Sequence, residues 1–248
     1  MPTPGRLILL TGPSCAGKTP LLHALQSHRP DLADALEPVV LYNDRGPRPG
    51  ETDGVDYHFR GRSHIESLRG DDRYLVMDVR GDLQALDVEA VKSRLDEGDA
   101  IFEGNPYVAA ALLDEPRLAD VNRLGVFIAP VTREELEALR DDDRVDAEAT
   151  LTDVMRRKLL RRARRHKGEL SRVDLDDVEN RAGRAYRELA FAPRFDHVIP
   201  NHDGEDSEHW HAFPLPLGDA RRTLHALIAL LGGRSTPPTE AWDDGLFA

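Results

Sequence analysis

Residues 12–19, GPSCAGKT, constrain the fold more than any other stretch of this 248-residue chain. They fit the pattern G-x-x-x-x-G-K-[ST]. The apolar run at residues 7–10 precedes them as a buried strand would, and leucines at helical spacing follow them. A strand, a glycine loop and a helix N-terminus form an anion site, because backbone N–H groups converge there and the helix dipole favours negative charge. The sequence therefore predicts a nucleoside triphosphate site.

Each residue of this loop has an expected role. We expect Lys18 to reach the β- and γ-phosphates and the Thr19 hydroxyl to bind Mg²⁺. Cys15 lies where the backbone does the binding, so we interpret it as a small filler rather than a nucleophile. The predicted triphosphate-binding residues of the loop are Gly12, Pro13, Ser14, Cys15, Ala16, Gly17, Lys18 and Thr19.

Composition excludes several classes of protein. The chain is 40% hydrophobic and 31% charged, as expected for a soluble protein, and no apolar run approaches the roughly 18–20 residues that span a bilayer. A formal net charge of −12 argues against binding to a nucleic acid polymer. A single cysteine suits a cytoplasmic location. One basic stretch, residues 156–167, stands out within this acidic chain.

Predicted strands alternate with predicted helices along the chain. The strands include residues 38–42, 73–79, 100–102, 124–129 and 197–199, and the helices include residues 87–97, 151–167, 175–189 and 220–231. This alternation predicts an α/β fold with a mostly parallel sheet and helices on both faces.

The loop at residues 12–19, followed by RGPRPGETDGVDYHF at residues 45–59, resembles the guanylate kinase family. The resemblance extends over about residues 5–231. It implies a three-layer P-loop kinase fold in one domain, residues 1–231, with an acceptor-binding segment at about residues 42–98 and a helical lid at about residues 151–185. Residues 232–248 are then predicted to be a flexible C-terminal tail.

The resemblance also implies site residues. Arg45, Arg48 and Tyr57 would hold the acceptor's phosphate, with Glu51 bracing the arginines. Two arginines three residues apart in a Pro/Gly-rich loop can indeed present planar forks to one phosphate. Glu103, at the end of an apolar strand, would order the Mg²⁺ shell or the acceptor.

Further implied residues lie in the second half of the chain. One or two arginines of residues 156–167 would close over the transferring phosphate, with Arg161 and Arg165 as the candidates. Arg181 matches an arginine of the family's next helix, and Asn201 matches an asparagine near the adenine of ATP. ATP and Mg²⁺ are the implied donor and cofactor.

Positions that read guanine in this family are altered. Apolar or different residues stand at them: Leu41, Asn43, Asp44, either Leu75 or Val76, Leu86 and Asn105. Gln84 replaces a tyrosine that holds the acceptor's phosphate. Four polar residues are candidates for reading a different base: Gln84, Asp87, Asp78 and Asn105.

Three functions remain open. The first is ATP-dependent phosphoryl transfer to the phosphate of a nucleoside monophosphate, GMP or a related nucleotide. The second is a small-molecule kinase acting on a hydroxyl of a nucleoside-like or other metabolite, with Asp44, Asp78 or Glu103 as the base. The third is a non-catalytic interaction module, against which the intact Lys18 and Thr19 argue.

Overall fold

The computed structural model describes residues 5–48, 50–233 and 239–247. Its strands are β1 (Leu7–Thr11), β2 (Leu36–Pro38), β3 (Tyr42–Asn43), β4 (His58–Phe59), β5 (Tyr74–Val79), β6 (Asp82–Asp87), β7 (Asp99–Gly104), β8 (Arg123–Ala129) and β9 (His197–Pro200). Its α-helices are α1 (Lys18–His28), α2 (Pro30–Ala33), α3 (Arg62–Ser67), α4 (Val88–Glu97), α5 (Pro106–Asp114), α6 (Arg133–Asp141), α7 (Ala147–Lys167), α8 (Arg172–Ala182), α9 (Ala185–Leu189) and α10 (Gly218–Leu231).

The strands form two sheets. The larger sheet has five strands in the order β2-β7-β1-β8-β9, with β2 parallel to β7 and β8 parallel to β9. The smaller sheet has the order β4-β3-β6-β5 and is mixed, because β3 is parallel to β4 but antiparallel to β6. The α/β class and the mostly parallel main sheet predicted from the sequence are confirmed.

The chain divides into two compact units. The first comprises residues up to Leu9 together with Ala35–Leu124, and the second comprises Leu10–Asp34 with Gly125–Ala248. In the first unit, Ile65 of α3 packs on Leu83 and Ala85 of β6, all three fully buried. In the second unit, β8 is buried along Val126–Ala129, and apolar residues of α1 and α10 add to the core. Among the described residues, no helix is both long enough and apolar enough to cross a membrane.

Several details differ from the sequence-based predictions. The strand predicted at residues 38–42 is two short strands, β2 and β3, in different sheets. Helix α5 was not predicted, although Asn105 caps it by accepting a hydrogen bond from the Val108 amide at 3.1 Å. An asparagine followed by proline is a common helix start. The sequence therefore held a usable signal for α5.

Part of the predicted flexible tail is packed within the second unit. Glu240 pairs with Val198 of β9 through backbone hydrogen bonds of 2.9 and 2.7 Å. Trp242 and Leu246 are buried. Residues 239–247 therefore differ from the expected flexible tail, while the prediction for residues 234–238 and 248 falls outside the described residues.

Candidate functional site

The loop predicted to bind phosphate lies between β1 and α1 in the second unit. Lys18 is the first residue of α1, and its Nζ donates to the carbonyls of Gly12 at 3.0 Å and Pro13 at 3.1 Å. The ammonium is thus folded over the loop, with only 7% of the residue exposed. Thr19 is exposed. This strand, loop and helix have the arrangement of a P-loop.

Asn201, which follows β9, links the P-loop to Asp203 through hydrogen bonds. Its Nδ2 donates to the Ala16 carbonyl at 2.7 Å and to the Asp203 carbonyl at 2.8 Å, and its Oδ1 accepts from the Asp203 amide. Gly17 has a φ of +102°, and a Cβ there would lie 2.4 Å from Asn201 Nδ2. The carboxamide is therefore fully engaged within the protein, and Asn201 is completely buried.

Residues 202–206, which we call the acidic turn, also touch the P-loop. A Cβ on Gly204 would lie 2.1 Å from the Cys15 carbonyl, so only glycine allows this close approach. Asp206 is 8% exposed, and its Oδ1 lies 3.9 Å from Cys15 Sγ. Nothing in the sequence pattern predicted that an acidic turn would pack against a phosphate loop.

The acidic turn holds one stripe of basic side chains on α7. Arg161 donates to Asp206 Oδ2 from Nε at 2.8 Å, and its Nη2 lies 2.7 Å from the same oxygen. Arg165 Nη2 donates to the Asp206 carbonyl at 2.7 Å. Lys158 donates to the His202 carbonyl, and its Nζ lies 3.9 Å from Asp206. The structure thus brings Arg161 and Arg165 together on Asp206, Arg161 at its carboxylate and Arg165 at its backbone carbonyl.

Cys15 connects the P-loop to helices α7, α8 and α9. Its side chain is buried in a cluster with Met155 and Leu159 of α7 and with residues of α8 and α9. Burial raises the pKa of the Cys15 thiol, Glu205 and Asp206 add to that rise, and Arg162 opposes it. The thiol is therefore protonated, which agrees with its predicted role as a filler.

The residues predicted to hold the acceptor's phosphate lie in the first unit. Arg45 Nη1 and Nη2 each lie 2.7 Å from a separate carboxylate oxygen of Glu51, and the Arg48 backbone amide donates to the same carboxylate at 2.7 Å. The Arg45 guanidinium sits 5.1 Å from the Tyr57 ring centroid and 5.5 Å from that of Phe59. Arg45 is therefore held on three sides by residues of its own segment.

Tyr57 and Glu103 lie near each other in this unit. Burial raises the pKa of Tyr57, Arg45 opposes the shift, and the charge of Glu103 adds to it. The phenol thus stays protonated at neutral pH and can donate a hydrogen bond. Glu103 itself is exposed at the end of β7.

Strand pairing settles which residues share the face that carries Asn43 and Gln84. Asn43 lies opposite Gln84, and Leu75 lies opposite Leu86. Because side chains alternate along a strand, Leu75 and Leu86 lie on the same face as Gln84. Val76 instead packs against the Ile65 cluster under α3. Leu75, rather than Val76, therefore shares the face of Asn43 and Gln84, which we call the acceptor face because Gln84 is a predicted acceptor-binding residue.

Most of the polar candidates for reading a base have other partners. Asp87 caps α4 through the Ala90 amide and pairs with Arg73. Asp78 pairs with Arg69 at 2.9 Å, and Asn105 caps α5. Gln84 is 5% exposed and makes no side-chain hydrogen bond with any described residue. Its carboxamide is the one of these four that stays uncommitted.

Arg181 lies on α8, where it pairs with Asp177 at 2.9 Å one helical turn earlier. Its side chain is 19% exposed.

The residues present fit a magnesium–triphosphate complex. Lys18 and the glycine loop provide a cationic cradle, and Thr19 offers a hydroxyl with no partner among the described residues. No group of three or more histidine, cysteine or carboxylate side chains within the described ranges could hold a metal alone. A Mg²⁺ ion would therefore be held largely by the triphosphate itself, as P-loop proteins hold it.

Comparisons with known proteins point to one family. A family model described as guanylate kinase matches residues 4–166. The guanylate kinase of Aromatoleum aromaticum is 34% identical over 70% of this chain and 81% of its own length. That of Synechococcus sp. is 30% identical over 75% of this chain and 81% of its own. The chain belongs to the guanylate kinase family.

A solved structure shows the same fold. The crystal structure of guanylate kinase from Anaplasma phagocytophilum superposes with a TM-score of 0.55 and covers 93% of this chain and 86% of its own. Its sequence is only 16% identical, so this likeness concerns the fold alone.

Proposed function

We propose that the chain transfers the terminal phosphoryl group of ATP, bound with Mg²⁺, to the phosphate of a nucleoside monophosphate, either GMP or a related nucleotide. The observation that carries the proposal is the Arg45–Glu51 pair beside Tyr57. A braced guanidinium next to a protonated phenol suits a phosphate, since both present donors in fixed directions. Family membership supports the same reaction class.

This reaction does not need a strong general base. The oxygens of an acceptor phosphate are already anionic, so catalysis consists of positioning and of stabilising charge on the transferred group. In this proposal Arg45, Arg48 and Tyr57 hold the acceptor, Glu51 braces Arg45, and Gln84 and Glu103 line its site. The donor side comprises residues 12–19, with Thr19 toward Mg²⁺ and Asn201 as the residue that positions the loop. Its cations are Lys18, Arg181 and one or two arginines of α7.

A kinase acting on a hydroxyl is the second candidate. Leu75 and Leu86 favour it, because two apolar side chains on the acceptor face cannot pair with a base edge. Such a reaction needs a carboxylate base. The notable candidates are Asp44, which is engaged by Arg62 at 2.6 Å and by the Leu83 amide at 2.8 Å, and Asp78, which pairs with Arg69. Glu103, exposed at the end of β7, is the third candidate.

The decisive experiment is coupled-assay turnover with Mg²⁺–ATP against a panel of nucleoside monophosphates and nucleosides. We expect turnover with one or more monophosphates, and Lys18→Met should reduce it by at least about a hundredfold, as loss of a cation at the transferred phosphate would. Turnover with nucleosides alone would support the hydroxyl kinase. A protein that binds Mg²⁺–ATP but phosphorylates neither set would support the non-catalytic alternative.

A further inference from the structure

The basic part of α7, residues 156–167, can be sorted by the partners that its side chains already have. Lys158, Arg161 and Arg165 are held by the acidic turn. Arg156 pairs with Glu179 at 2.7 Å. By contrast, two arginines of α7 make neither an ion pair nor a side-chain hydrogen bond with any residue in the described ranges: Arg162 and Arg164.

These two arginines lie on opposite faces of α7. Arg162 comes seven residues after Met155 and three after Leu159, so helical spacing places it on their face. That face packs against Cys15 of the P-loop. Arg164 falls on the opposite side and is exposed, whereas Arg162 is half-buried. Arg162 is thus the unpaired arginine on the side of α7 that meets the P-loop.

Electrostatics agree with this position. The charged groups that act on the Cys15 thiol are Glu205, Asp206 and Arg162, and Arg162 is the cation among them. The Oε2 atom of Glu205 is buried and has no hydrogen-bond partner among the described residues. Of the charged groups that act on Cys15, Arg162 is thus a guanidinium that makes no hydrogen bond to Glu205 or Asp206 among the described residues, whereas Arg161 is bound to Asp206.

We infer that Arg162 is the arginine of α7 that contacts the phosphates of the donor, while Arg161 and Arg165 hold the acidic turn. The inference rests on the proposed function for the identity of the donor. Arg161 would have to leave Asp206, a carboxylate of which only 6% of the side chain is exposed, and that buried charge would then keep only Lys158, 3.9 Å away, as a paired cation. Arg162 has no such pair to break.

The test measures binding of Mg²⁺ with a non-hydrolysable ATP analogue, and of inorganic tripolyphosphate, to the full chain. Arg162→Ala should weaken both ligands by about ten- to a hundredfold, the loss expected for one charge-assisted hydrogen bond, and should lower kcat as well. Arg164→Ala is the matched control, because it removes an identical side chain from the opposite face. We expect it to change binding less than about twofold.

Further variants distinguish the possible failures. Arg162→Lys should restore part of the lost affinity, since a point charge replaces a planar fork, and it keeps the test valid if Arg162→Ala unfolds. Equal binding by Arg162→Ala and Arg164→Ala would overturn the inference, as would a larger loss in Arg161→Ala than in Arg162→Ala. Failure of the wild-type chain to bind either ligand would instead overturn the proposed donor.

Discussion

Arg45 and Glu51 face each other with two nitrogen–oxygen distances of 2.7 Å, one to each carboxylate oxygen. This two-pronged contact fixes the plane of the guanidinium, which also lies over the rings of Tyr57 and Phe59. In the proposed reaction, the guanidinium of Arg45 is therefore already oriented before the acceptor binds. Such pre-organisation lowers the entropic cost of binding a phosphate.

Glu51 should make a pH-dependent contribution to stability. Its pKa is held below the ordinary value, first of all by hydrogen bonds from Arg45. A carboxyl group whose pKa falls on folding stabilises the folded state above its unfolded pKa, and this stability is lost as the pH falls through the folded pKa. The cost of Glu51→Gln in free energy of unfolding should be full at pH 7, shrink below about pH 4.3, and vanish below the lowered pKa.

Urea unfolding of both proteins across this pH range measures that cost. Glu169→Gln is the control, because Glu169 is exposed and has no ion pair within the part of the chain that the structure describes. A Glu51→Gln cost that stays constant from pH 7 to pH 3 would show that the carboxylate charge contributes nothing.

Arg48→Ala should separate acceptor binding from donor binding. Loss of one or two charge-assisted hydrogen bonds, each worth roughly 1.5–3 kcal/mol, predicts a fall in kcat/KM for the acceptor of about ten- to several-hundredfold. Affinity for Mg²⁺–ATP should stay nearly unchanged. The control is Arg60→Ala, since Arg60 is an exposed arginine of the same segment that pairs with Asp53. Nucleoside phosphorylation that is indifferent to Arg48→Ala would favour the hydroxyl kinase.

Asn201→Ala should weaken donor binding without changing the choice of base. The Asn201 carboxamide is used up by the Ala16 and Asp203 backbone, so its loss loosens the P-loop rather than removing a base contact. Affinities for ATP and for inorganic tripolyphosphate should fall by the same factor. A loss confined to ATP would place Asn201 at the adenine.

We expect weak selectivity between nucleoside monophosphates that differ in their base. Leu75 and Leu86 offer no hydrogen bond to a base edge, and an apolar site discriminates by about 10–200-fold where a hydrogen-bonding site reaches about 10⁴–10⁵. The ratio of kcat/KM between the best and worst nucleoside monophosphates measures this directly. A preference for GMP of 10⁴ or more would mean that other residues read the base.

The sequence predicted those parts of the site that depend on local backbone. The P-loop and the Arg45–Tyr57 segment were recognisable because each is one short stretch whose spacing sets its own geometry. The choice between Leu75 and Val76 needed the pairing with β6, since one residue of register exchanges the two faces of a strand. The contact of Arg161 with Asp206, 45 residues apart, depends on tertiary packing that no local pattern encodes.

The burial of Cys15 has a practical consequence. It is the chain's single cysteine, and its thiol is both covered by α7 and kept protonated by burial. Alkylating reagents need an exposed thiolate, so they can modify the chain only when α7 separates from the P-loop. The rate of alkylation therefore measures how often α7 separates from the P-loop in the native protein, and no label has to be introduced. If donor phosphates draw α7 onto the loop, saturating Mg²⁺–ATP will slow that rate.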